Sequence, residues 1–313
     1  MHQFSHTDAI AANNKVFDED FAIKYENTEG MQVLSRIMAK IVLEFDVSGP
    51  RKTREESASL MGDPQTLSIG SKAQHSAPSE DFPYPLIRPG IKLMDFACGT
   101  GLFTQRLFPY LQGDSHTEVV GIDISRPFLD SFDKKAAANR SERLSISSYL
   151  YDIIDPAKQA ELDAKFGGQF DVIVCTISYH HIENYRDVTK KLATFLRPGG
   201  WLLILDFYNE DVESCEQSEN ATNAVRHMGG LKVDSMNDTL GPYSGLINVS
   251  SARETRAHLW QKREFIENHL TKSVNEKMDA GELNSKLDAS GDTVYLVEVS
   301  FILAVGQAGP TNK

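Results

Sequence analysis

Cysteine is scarce in this chain. Cys98, Cys175 and Cys215 are the three in 313 residues. They are too few and too widely spaced for a disulfide framework or a zinc site. Cys98 and Cys175 fall in stretches that read as core or site, so reduced thiols are expected. Basic residues are also in short supply, 32 Lys and Arg against 44 Asp and Glu, for a formal charge of −12. Nucleic acid and anionic membranes reward a basic face, so neither is expected as the main partner. No apolar run approaches the ~20 residues of a membrane helix. The first ten residues, MHQFSHTDAI, show neither a basic start nor an apolar stretch. A cytoplasmic location is therefore expected, and the sequons at Asn139, Asn220, Asn237 and Asn248 have no reason to carry glycans. No internal repeat is evident.

What is present is length and hydrophobic content enough for one large α/β domain with extensions, hydrophobic residues making up 41% of the chain. The most informative stretch is residues 92–101, KLMDFACGTG. A short apolar strand, Ile91 to Met94, runs into Asp95 and a small-residue turn, and Leu102 to Leu107 follows with helical spacing. Such a strand–turn–helix start brings backbone close to a ligand and aims free N–H groups at it. The dinucleotide fingerprint asks for G-x-G-x-x-G or Ala at its last place, but Gly99 and Gly101 are followed by Thr104. The pattern that stands is D-x-A-x-G-x-G. An acid before the turn suits a ligand with an ammonium group better than a pyrophosphate.

Further apolar strands follow in order. Glu118 to Ile124 ends at Asp123, where a carboxylate at a strand tip can accept from ribose hydroxyls. Leu144 to Leu150 reads as a third strand, ending at Tyr151-Asp152-Ile153. Phe170 to Ile177 is apolar on both faces, as in a fully buried fourth strand. Ser178-Tyr179-His180-His181-Ile182 comes next. Leu196-Arg-Pro-Gly-Gly reads as a helix ending at Arg197 and a turn, before a buried fifth strand from Trp201.

This ordered set resembles the class I S-adenosylmethionine-dependent methyltransferases, whose first motif is (D/E)-x-G-x-G-x-G and in which LRPGG before an apolar strand is common. Ala97 stands in the place of the first glycine, a substitution expected to be harmless with a negative φ there. The resemblance implies a Rossmann-like sandwich with a mostly parallel seven-stranded sheet, an antiparallel last strand and an N-terminal helical cap. It implies S-adenosylmethionine as cofactor, held by Asp95, Ala97, Gly99, Thr100 and Gly101, by Asp123 and Ile124, by Asp152 and Ile153 at the adenine, and by Cys175. Asp155 is a nearby competitor of Asp152. The segment from Val16 to Glu26 looks like the family's N-terminal helix over the cofactor, and Tyr25 matches the tyrosine that reaches the methionine end. The stretch Val225-Arg-His-Met-Gly-Gly resembles one found in many uncharacterised fungal methyltransferases.

The expected organisation is a helical cap over 1–46, a flexible insertion over 47–86 and a methyltransferase core over 87–313. Within the core, residues 231–240 read as a short helix, 253–290 as a charged helical insertion and Tyr295 to Val305 as a last strand. The insertion at 47–86 is rich in Ser, Pro, Gly and charge, so it is expected to be mobile and dispensable for folding.

Methyl transfer from a sulfonium needs alignment and desolvation of the nucleophile, and a base where the acceptor carries a proton. Candidates beyond strands four and five are His180, His181, His227, Tyr179 and Asp206. His181 and His227 are taken as the catalytic pair, since histidine titrates near neutrality. No set of acids for a metal is seen. The favoured function is methyl transfer to a small-molecule acceptor through O, N or S. The alternatives are a protein or RNA methyltransferase, or a non-catalytic cofactor-binding partner subunit. The chain shows T-I-S-Y-H-H rather than N-P-P-Y after the fourth strand, which argues against the second reading.

Overall fold

The computed structural model describes residues 6–16, 18–45, 47, 60–61, 86–208 and 230–310. The strands described are β1 (Leu60–Met61), β2 (Lys92–Phe96), β3 (Thr117–Asp123), β4 (Leu144–Leu150), β5 (Phe170–Thr176), β6 (Leu196–Tyr208), β7 (Ile247–Lys262), β8 (Ser285–Leu287) and β9 (Thr293–Gln307). The helices are α1 (His6–Val16), α2 (Glu19–Asn27), α3 (Glu29–Leu43), α4 (Leu102–Leu111), α5 (Arg126–Asn139), α6 (Gln159–Phe166), α7 (Tyr185–Phe195), α8 (Val233–Asp238), α9 (Arg263–His269) and α10 (Lys272–Asp279).

All nine strands join one sheet in the order β1-β7-β9-β6-β5-β2-β3-β4, with β8 paired to the start of β9. β2 to β6 run parallel, and β9 runs antiparallel to both β6 and β7. The expected seven-stranded, mostly parallel sheet is therefore present, with β1 and β8 as short additions. The chain builds outward from β2 through β3 to β4, then returns to place β5 on the other side of β2. Ligands of open α/β sheets sit beyond the strand ends at such a reversal.

Successive side chains of a strand point to opposite faces. Register aligns Leu93 with Val119 on one side and Val172 on the other. These three enter one core with α3, α4, α5, α9 and α10. Met94, Val120, Ile173 and Leu202 enter the second core with α6, α7 and α8. The apolar run of β5 thus supplies both cores at once.

Two readings of the sequence are corrected by the structure. Residues 253–262 are not helical but belong to the 16-residue strand β7, paired with β9 as far as Lys262↔Val294. Ala257, Leu259 and Gln261 are buried while His258 and Trp260 are only partly covered. That period of two was masked by the charged residues around it. The helical part of the insertion reduces to α9 and α10. Next, α7 ends at Phe195, and Leu196 to Gly200 enter β6 directly, with the register to β5 shifting between Phe170 and Val172. Gly200 is needed there because a Cβ would stand 2.6 Å from the Phe170 carbonyl oxygen. Of the insertion expected over 47–86, residues 47, 60–61 and 86 are described, with Leu60 and Met61 paired in parallel with Arg256 and Ala257 of β7, and the rest lies outside the described residues.

The N-terminal cap consists of α1 to α3. Asp18 caps α2, its carboxylate accepting the Phe21 N–H at 2.8 Å, which satisfies one of the first-turn donors. α3 carries the apolar face, with Val33, Leu34, Ile37, Met38, Ile41 and Val42 buried, and this anchors the cap to the sheet.

Candidate functional site

The turn after β2 takes left-handed backbone three times within five residues: Ala97 has φ +55°, Gly99 +54° and Gly101 +79°. The negative φ expected at Ala97 is corrected; a Cβ stands in the conformation that glycine adopts without strain. The turn is tied to the tip of β3. Cys98 N donates to Ile122 O at 3.0 Å, and Gly99 N donates to Asp123 Oδ2 at 2.8 Å. The other Asp123 oxygen accepts from Ser125 N at 2.9 Å. Burial raises the Asp123 pKa, with the N–H bonds from Ser125, Gly99 and Ile124 opposing that rise.

Asp95 is 1% exposed at the end of β2. The Thr104 hydroxyl donates to its Oδ2, while its Oδ1 is buried without a partner among the described residues. Burial pushes the Asp95 carboxyl up to about 7; the Thr104 bond opposes this, and nearby Asp123 adds to it. Thr100, also 1% exposed, holds a buried Oγ1 with no partner among the described residues. Buried groups left unpaired cost free energy, and here they point to a ligand that supplies a donor. An ammonium group meets that need.

Tyr25 projects from α2 onto the same place. Its ring lies 5.9 Å from that of Phe128 on α5. Burial, then Asp123, then Asp95 push its pKa up to about 12.

Beyond the strand tips lies a cleft. Of the residues expected from sequence, Ala97, Asp123, Ile124, Asp152, Ile153 and His181 line it. Asp95, Gly99, Thr100, Gly101 and Tyr25 are not in its lining but form the adjoining turn and cap. Cys175 is corrected: it is fully buried in the core with Ile173, α7 and α8, and burial raises its thiol pKa well above the usual value. His227 lies outside the described residues. Phe96, Tyr151, Ile182, Glu183 and Val188 also line the cleft, as do Ile10 and Asn13 of α1. The first four lie within two residues of named motif residues in sequence, whereas Val188 comes from α7 and nothing in the motifs signals α1.

The His pair after β5 divides into two roles. His181 faces the cleft. His180 is 2% exposed, and the Asp206 carboxylate on β6 accepts both its ring Nδ1–H at 2.7 Å and its backbone N–H at 3.0 Å. The rings of His180 and His181 lie 4.0 Å apart. Tyr179 is withdrawn from the candidates, since its hydroxyl is buried against Thr189 at 3.0 Å. The residue just ahead, Ile177, has φ +51°, an uncommon conformation for a β-branched side chain that concentrates strain at the mouth of the site. Sequence reasoning missed His269, which α9 brings within 5.5 Å of His180, ring centre to ring centre. It stacks on Phe265 at 4.5 Å. Burial and the neighbouring His180 push its pKa down to about 3.

A parallel sheet with this strand order, a glycine-rich turn after its first central strand and acids at the next two tips define a class I methyltransferase fold. Comparison agrees. A family model described as a methyltransferase domain matches residues 94–202. An uncharacterized methyltransferase of Schizosaccharomyces pombe is 25% identical over 303 residues, covering 96% of this chain and 99% of that protein. The ubiquinone/menaquinone biosynthesis C-methyltransferase of Shewanella oneidensis is 32% identical over 120 residues, covering 38% of this chain and 44% of that enzyme. The crystal structure of the YcgJ protein of Bacillus subtilis superposes with a TM-score of 0.47 at 18% identity, over 71% of this chain and 93% of that one. Residues 94–202 thus match a methyltransferase domain, and the chain over nearly its whole length is similar to a methyltransferase.

Proposed function

We propose that the chain transfers a methyl group from S-adenosylmethionine to a small-molecule acceptor. The observation that carries this reading is the buried, unpartnered Oδ1 of Asp95 beside the motif turn. It fits a cationic donor, and it sits where a strand reversal opens a cleft. Asp95 would hold the ammonium group and the Gly99–Gly101 turn the carboxylate end. Asp123 would accept from ribose hydroxyls, and Asp152 and Ile153 would meet the adenine. Tyr25 would cover the cofactor from α2. The bound cofactor supplies an activated methyl group.

His181 is the cleft-facing base for an acceptor that carries a proton. It rides on the turn of residues 179–181, which the two hydrogen bonds that His180 donates to Asp206 hold in place. That clamp fixes where the imidazole is offered, and orientation is the larger part of such a displacement. A small acceptor suits the formal charge of −12, which gives nucleic acid no basic face to bind. The Shewanella relative is a C-methyltransferase, so a carbon nucleophile joins O, N and S as an acceptor atom. No helix among the described residues is long and apolar enough to cross a membrane.

The test is a metabolite-extract screen with methyl-labelled S-adenosylmethionine and the full chain. Label should enter a compound of low mass, and His181→Ala should slow its appearance. Label found only in protein or RNA would transfer the reading to the macromolecular alternative. No label anywhere, with the cofactor bound, would favour the non-catalytic subunit.

A further inference from the structure

Asn13 stands on α1, the first helix of the cap, and lines the cleft together with Ile10 one turn before it. It is 6% exposed. Its Oδ1 is buried and has no hydrogen-bond partner among the described residues. Leaving such an oxygen unpaired is unfavourable, and an apolar side chain of similar size would remove the cost. An asparagine kept there signals a partner that arrives from outside the chain.

The surroundings define that partner's chemistry. Facing the same cleft are apolar Phe96, Ile124 and Ile153, and the acceptor groups Asp123 and Asp152. With the Asn13 oxygen, the polar side chains at these tips offer acceptors to an apolar slot. A ligand part that fits is flat and apolar, and it carries hydrogen-bond donors. If the cofactor reading above holds, on which this inference rests, the matching part is the nucleoside, with its ring amine and vicinal hydroxyls. We propose that Asn13 is a ligand-binding residue whose Oδ1 accepts a hydrogen bond from the nucleoside half of the cofactor, making α1 a clasp over that half.

The test uses the full chain as wild type, Asn13→Ala and Asn13→Leu. Calorimetry measures S-adenosylhomocysteine and methylthioadenosine, the latter carrying the nucleoside without the amino acid. Thermal unfolding is followed without ligand. Both variants should bind both ligands about tenfold more weakly. Their ligand-free midpoints should match or exceed that of the wild type, because an unsatisfied oxygen has been removed. Unchanged affinity for methylthioadenosine in both variants overturns the proposal. So do midpoints well below wild type in both, which would make Asn13 a structural residue. Wild type that binds neither compound overturns the cofactor reading itself, whereas wild-type binding with indifferent variants removes only the role of Asn13.

Discussion

A Cβ placed on Gly101 would stand 2.7 Å from Phe132 Cδ2, so the last glycine of the motif turn makes room for a phenylalanine of α5. Phe132 also lies 2.7 Å, at its Cζ, from where a Cβ on Gly121 would be. One buried ring is therefore wedged between the turn and β3. Gly101→Ala should destabilise the protein by about 2–4 kcal/mol, adding left-handed strain to overpacking. In a Phe132→Ala background the cost should shrink to the strain alone. Urea denaturation of the four proteins measures this, and equal costs in both backgrounds would contradict the wedge.

Ala97 is the reverse case, a Cβ at φ +55°. Ala97→Gly should raise stability by about 1 kcal/mol, since glycine takes this conformation without the penalty. A loss of stability in the same denaturation experiment would mean that the turn keeps a negative φ at this position.

Asp95 makes ligand-free stability depend on pH. Its folded pKa of about 7 lies above the ordinary 3.8, so between those values the native state binds more protons than the unfolded chain. Its contribution therefore falls as pH rises from about 4 to about 7. Asp95→Asn lacks this titration. The stability difference, variant minus wild type, should climb by about 2–3 kcal/mol between pH 5 and 8. A flat difference would show that Asp95 is ionised throughout.

His269 acts with the opposite sign. Its folded pKa, about 3, lies below the ordinary 6.5, so the unfolded chain takes up a proton that the native state refuses. Stability is lost as pH falls from 6.5 towards 3. His269→Phe keeps a ring to stack on Phe265 and removes the proton site. Its stability relative to wild type should grow by about 2–3 kcal/mol between pH 6.5 and 4.5. A pH-independent difference would place the ring in contact with water or with a compensating acid.

The core of the fold was legible because its signals are local. Apolar strands, the spacing of Gly99 and Gly101 and the acid at each strand tip all lie within a few residues of one another. The contributions of Ile10, Asn13 and His269 were not, since each reaches the site from an element far away in sequence and carries no motif of its own. Cys175 was misplaced for a related reason. In a strand apolar on both faces, periodicity does not say which side chains face the ligand and which the core. The strand over 253–262 was hidden because β7 is long and partly exposed, so charged residues interrupt its alternation.

Calorimetric titration of the full chain with S-adenosylmethionine and S-adenosylhomocysteine tests the central claim most directly. One molecule of either should bind per chain, and Asp123→Ala should weaken binding by about 1–3 kcal/mol through lost hydrogen bonds to a charged group. Absence of binding by both, with NAD binding in their place, would contradict the account.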